Sequence, residues 1–185
     1  MSAACQYATD VTKAQWEVLP PLLPPPTWTP GGRGRPPRPL RPVGNGILYV
    51  NKTGGQWRMR PKAFGPWETV YGSFRCWRRA GGWERVMTEL RQVARRCQGR
   101  LAEPSAGAID SPSVKTATQG TDVGFDGNKK IKGRKRHVVV DTLGLSVAVV
   151  VTAAHVDDRQ GLLALWTSDF AAGVTRLRKL WVDRG

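Results

Sequence analysis

Two aspartates each close a short apolar run: Asp110 follows Ala106-Gly107-Ala108-Ile109, and Asp183 follows Leu180-Trp181-Val182. A carboxylate at the tip of a strand offers hard oxygen ligands that suit Mg²⁺ or Mn²⁺. Two such tips brought together can hold cations that activate an oxygen nucleophile and stabilise the leaving oxygen of a phosphodiester. The plain alternative is that both residues merely end strands, and residue type alone leaves that open. His137 and His155 stand apart from other ligand-type residues. Cys5, Cys76 and Cys97 are odd in number and lack a C-x-x-C pair, which speaks against a disulfide framework or a zinc site.

The charge balance names the partner class. In 185 residues, 29 Lys and Arg face 14 Asp and Glu, a net charge of +15. A field of that sign draws phosphate polyanions. The competing anionic partner, a membrane surface, lacks a supporting amphipathic basic helix or lipidation signal. Two cationic stretches stand out. Lys129, Lys130, Lys132, Arg134, Lys135 and Arg136 precede a Val-rich run and are candidates for phosphate contact beside the carboxylates. Arg33 and Arg35 flank Gly34 in a Gly/Pro-rich loop, which has the form of a minor-groove hook, against the stronger alternative of a plain basic linker.

The elements that must position these residues change character near 102–106. Residues 1–105 hold 17 Lys and Arg against 6 acids and show helical apolar spacing; residues 106–185 hold 12 against 8 and are rich in valine runs. We therefore expect a small, basic, helical DNA-binding domain over 1–102 and a second domain over 106–185. Thr12 or Asp10 caps a helix carrying Trp16 and Leu19, which Pro20-Pro21 end. Trp67, Val70, Tyr71, Phe74 and Trp77 define a second helix, Gly81-Gly82 break it, and Trp83, Val86, Leu90, Val93 and Cys97 define another. The arginines from Arg75 to Arg96 mostly fall off these stripes.

The second domain reads as strand 106–110, a hairpin of 136–141 and 145–154 around Thr142-Leu143-Gly144, a helix opened by Asp157-Asp158 and running to Phe170, and a strand 177–183. Asp122, Asp126 and Asp141 read as turn residues, and His137 as a residue at the strand's edge. This order is that of ribonuclease H-like folds, in which the first and last of these strands lie side by side. The fold class is thus α+β: a helical domain followed by an incomplete ribonuclease H-like α/β domain.

Several blocks carry a family resemblance. They are Gln56-Trp57-Arg58, Phe64-Gly65-Pro66-Trp67-Glu68-Thr69-Val70-Tyr71, Phe74-Arg75-Cys76-Trp77-Arg78-Arg79 and Gly82-Trp83-Glu84-Arg85, followed by Ile109 to Thr116, Lys130 to His137, Val140 to Gly144 and Trp181 to Gly185. Together they resemble the IS5-family (IS4/IS5-like) bacterial insertion-sequence transposases, in order and over nearly the whole chain. The resemblance implies a DDE transposase that uses divalent metal, Mg²⁺ or Mn²⁺, to cleave insertion-sequence ends and join them to target DNA. It makes Asp110 the first and Asp183 the second acidic residue, catalytic and metal-binding.

The third acid of that family, a Glu beyond the second Asp, has no counterpart here. The expectation is a C-terminally truncated chain that is inactive alone. Pro42, Gly44 and Gly46 fall where the family has a regular helix leading into Ile47–Val50; a helix-interior proline can cost about 3 kcal/mol and each glycine roughly 1 kcal/mol. Arg60 stands where an apolar residue is usual. These departures suggest a drifting fragment or a frameshifted first reading frame. The alternative function is a non-catalytic DNA-binding regulator or inhibitor derived from a transposase fragment. Expected partners are insertion-sequence ends and target DNA, with a homo-oligomer or a full-length transposase as protein partner and no membrane. The expected location is the bacterial cytoplasm, associated with the nucleoid.

Overall fold

A computed structural model describes residues 6–25, 36–116, 122–166 and 174–182. The chain separates into two compact units, 1–87 and 88–185. Among the described residues no helix is long and apolar enough to cross a membrane.

The first unit holds helices α1 (Lys13–Val18), α2 (Leu40–Thr53) and α3 (Trp67–Arg79), and α4 (Gly82–Cys97) begins in it. Thr12, not Asp10, caps α1, in a reciprocal box with Gln15. The core is Leu23, Val43, Ile47, Val70, Trp77 and Val86, with Trp16, Trp57, Phe74 and Trp83 packed around it. Gly81, at φ 65°, supplies the left-handed residue between α3 and α4.

The expected damage to α2 is not found. Pro42 is its third residue, where a backbone N–H has no helical partner to lose. Gly44 and Gly46 are close-packing points: a Cβ on Gly44 would stand 2.9 Å from the Trp16 ring, and one on Gly46 would stand 2.9 Å from the Phe64 Cβ. Arg60 is buried, and its guanidinium donates to the carbonyls of Pro61 (3.1 Å) and Gly65 (2.5 Å). Burial lowers its pKa, with Glu68 opposing.

The second unit is a six-stranded mixed sheet: β1 (Ala106–Asp110), β2 (Ser113–Lys115), β3 (Gly124–Asp126), β4 (Ile131–Asp141), β5 (Ser146–Ala153) and β6 (Lys179–Val182). The long β4 is its axis. It pairs antiparallel with β1, β2, β3 and β5, and Gly133 lies opposite both Lys115 of β2 and Gly124 of β3. The final strand lies parallel to the first, with Ile109 opposite Val182. Helix α5 (Asp158–Leu165), capped by Asp157, covers one face through Leu162 and Leu165, packed on Ile109 and Val139. It ends before Trp166, so the expected extension toward Phe170 falls partly outside the described residues. Strands β2 and β3, of three residues each, were too short to show a period.

The change from helix to strand falls between Cys97 and Ala106, whereas the two units divide inside α4. The reason lies in two arginines of α4's second half. Arg91 donates to the Ser146 carbonyl (3.1 Å), and Arg95 forms a buried ion pair with Asp141. Neither is on a solvated face, contrary to the expectation from their spacing.

Candidate nucleic-acid and metal site

Asp110 stands at the C-terminal tip of β1 and is exposed, since the strand's alternation turns its buried positions, Gly107 and Ile109, inward. Its carboxylate has no hydrogen-bond or ion-pair partner among the described residues. It lines a cleft of about 420 Å³ together with Ser111, Asp126, Lys129, Lys135, Asp158 and Val182. Val182 is the last described residue of β6, so Asp183 lies outside the described residues, as do Arg33 and Arg35.

The basic run is arranged differently from the sequence expectation. It does not precede the strand: β4 starts at Ile131, so Lys132 to Arg136 are strand residues and alternate between faces. Lys132 and Arg136 are exposed and Arg134 is half-buried, while Gly133, Lys135 and His137 turn to the covered side. Lys129 and Lys130 occupy the turn before β4, and Lys130 has a left-handed φ of 53°. Two of the six cations thus reach the cleft, Lys129 and Lys135.

Each of those two is held. The Lys129 ammonium donates to the Ser111 carbonyl (2.9 Å), which places it at the residue after Asp110. Lys135 is buried, 3.3 Å from Asp158 Oδ1 and 3.8 Å from Asp126 Oδ2. Asp126 is more than a turn residue. It accepts from Ser113 Oγ (2.6 Å) and from the backbone N–H groups of Lys129 and Asn128, and these bonds with Lys135 hold its carboxyl below the usual range.

His137 is a correction. Expected at a strand edge, it is fully buried in mid-strand. Its Nδ1 lies 3.0 Å from Ser111 Oγ and its Nε2 lies 3.0 Å from Thr152 Oγ1. Thr152 donates its own proton to the Ala153 carbonyl, so it accepts from Nε2–H, and Nδ1 accepts from Ser111. Burial lowers the His137 pKa, partly offset by Asp158, which fits this neutral tautomer. Gly161 of α5 lies directly on the ring, where any Cβ would collide with the imidazole. Sequence reading missed Ser111 and His137; His137's place between Lys135 and Val139 on one strand face was the signal available.

A hard divalent cation can be tested against these donors. Asp110 fits one ligand: an unpaired, exposed carboxylate in a cleft. Asp126 and Asp158 do not fit as readily, since their oxygens engage Ser113, backbone N–H groups and Lys135. Among the described residues no three His, Cys, Asp or Glu side chains converge to hold a metal.

Comparisons with known proteins identify the family of both units. Residues 11–87 match the family described as "Putative transposase of IS4/5 family (DUF4096)", and residues 101–185 match the transposase DDE domain. The uncharacterized 16.2 kDa protein of insertion element IS402 from Burkholderia cepacia is 35% identical over 112 residues, covering 59% of this chain and 75% of that protein. No solved structure matches the chain.

Proposed function

The chain belongs to the IS4/5 family of transposases, and on that premise we propose that its second unit carries the metal-dependent DNA-processing site, with Asp110 and Asp183 as the carboxylates that hold Mg²⁺ or Mn²⁺. The observation that carries this reading is the parallel pairing of β1 with β6. Ile109 and Val182, each the residue before an aspartate in the sequence, lie opposite one another and both line the cleft that Asp110 lines. A bound cation there would supply charge stabilisation to a phosphodiester undergoing displacement.

The chain's own residues do the rest. Lys129 and Lys135 set two ammonium groups in the cleft, where a phosphate of the DNA strand is attracted to the carboxylate site. Exposed Lys132 and Arg136, with Lys130 and Arg134, bind the backbone to either side. Ser111 is held at both ends, by His137 through its hydroxyl and by Lys129 through its carbonyl, and so fixes the direction in which β1 leaves the sheet after Asp110.

The test compares wild type with Asp110→Asn on DNA carrying the element's ends, with Mg²⁺ or Mn²⁺ present. Loss of metal-dependent nicking with DNA binding retained supports the reading. A variant that nicks like wild type overturns it. A wild type that binds these ends without ever nicking them favours the alternative, a DNA-binding regulator.

A further inference from the structure

Among the described residues four glycines lie in helix interiors, past the first residue of the helix, and three of them have an evident packing reason. Gly44 meets Trp16, Gly46 meets Phe64, and Gly161 meets His137. Gly72, at the centre of α3, has none: a Cβ there would have nothing within 4 Å. Glycine is among the least favourable residues in a helix interior, and no turn or left-handed angle requires it here. Its lack of a side chain therefore serves no contact within the described chain.

The surroundings of Gly72 are cationic. Residues three and seven positions on share its face, and these are Arg75 and Arg79, both exposed. Neither has a salt bridge among the described residues. Arg75 is held with its guanidinium 5.8 Å from the Tyr71 ring, and Tyr71 packs beside Trp67, over which Arg58 is stacked at 4.7 Å. Stacking engages the flat face of a guanidinium and leaves its N–H edges free in a fixed direction. The acid on this face is Glu68, one turn earlier, at the helix start.

We infer that the Gly72 face of α3, with Arg75 and Arg79 and flanked by Arg58, is the surface through which the first unit grips the backbone of duplex DNA. The glycine is a gap that lets a phosphate strand approach the helix; Arg75 and Arg58 are stacked in advance to receive it, and Arg79 adds charge on the same face. The inference rests on the reading of the chain as a DNA-binding transposase, and deepens it by naming the surface.

The experiment measures binding of the full chain to a labelled duplex across a salt series, together with the thermal unfolding midpoint. Gly72→Ala is expected to raise the midpoint and yet weaken binding several-fold, and Gly72→Leu to weaken it further. Arg75→Gln with Arg79→Gln should flatten the salt dependence by about two units of slope, one per lost phosphate contact. The same charge change made elsewhere, Lys13→Gln with Lys52→Gln, should flatten it far less. If Gly72→Ala stabilises the chain and binds like wild type, or if the two double variants flatten the slope equally, the surface is overturned while DNA binding stands. Tighter binding to duplex RNA than to duplex DNA also overturns it. A wild type with no salt-dependent DNA binding removes the underlying reading, and the surface with it.

Discussion

Arg95 near the end of α4 and Asp141 at the end of β4 form an ion pair whose side chains are 5% and 0% exposed. Asp141 Oδ1 also accepts the backbone N–H groups of Leu143 (2.8 Å) and Leu145 (2.9 Å), so one carboxylate closes the β4–β5 hairpin and anchors the helix. Removing one partner of a buried pair leaves the other charge uncompensated. Arg95→Met should therefore destabilise the second unit by about 3 kcal/mol, at the low end of the usual range because two backbone donors remain. Urea unfolding followed on that unit measures it. A change within the error of the titration would contradict this role.

The same carboxylate gives an acid limit. Burial alone would raise the Asp141 pKa, but the Leu145 N–H, Arg95 and the Leu143 N–H outweigh it and hold it below 3.8. A depressed carboxylate contributes stability above its unfolded pKa and loses it as pH falls through the folded value. The unfolding midpoint should thus drop as pH falls below about 4, and Asp141→Asn should flatten that limb while lowering stability at neutral pH.

His137 acts in a higher window. Burial lowers its pKa from 6.5, with Asp158 and Asp157 opposing and Lys135 assisting. Below 6.5 the unfolded chain takes up a proton that the folded site resists, so stability is full above that pH and declines as pH falls toward the folded value. Thermal melts between pH 7.5 and 5.5 should show this decline in wild type, and His137→Gln should lack it. An unchanged wild-type midpoint across that range would refute the neutral, buried imidazole.

In α2 helix propensity and packing point in opposite directions. Alanine is favoured over glycine by about 1 kcal/mol in a helix interior. The Cβ of Gly46→Ala would meet Phe64 at 2.9 Å and Val70 at 3.2 Å, which the well-packed core resists. Overpacking of this kind costs about 1–3 kcal/mol, so Gly46→Ala should lower the melting midpoint, whereas Gly72→Ala on α3 should raise it. Two substitutions of the same kind, one prediction of each sign, make the comparison internally controlled.

Much of the scaffold was legible in the sequence because its signals are local. The apolar spacing of Val70 and Trp77, the Thr12 cap, the Gly81-Gly82 break and the hairpin at Thr142-Leu143-Gly144 each depend on neighbours along the chain. What escaped depends on contacts made across it. Gly44 and Gly46 read as helix breakers because Trp16 and Phe64, which need their space, are distant in sequence. Arg91 and Arg95 read as solvated because Ser146 and Asp141 lie more than forty residues away. The basic run read as a loop because lysine and arginine mask a strand's alternation. Only the pairing of β4 with β2 and β5 separates Lys135, in the cleft, from Lys132 and Arg136 outside it. Of the candidate site, Asp110 was plain from sequence, while Asp126, Ser111 and His137 emerged only when β3 and β4 came together.

Whether Asp110 is a metal-holding carboxylate is decided at the site itself by a Mn²⁺ titration of the full chain followed by electron paramagnetic resonance, wild type against Asp110→Asn. Saturable binding by wild type is expected, weakened at least tenfold in the variant, with the unfolding midpoint unchanged because the side chain is exposed and has no partner among the described residues. Equal Mn²⁺ affinity in the two proteins would contradict it.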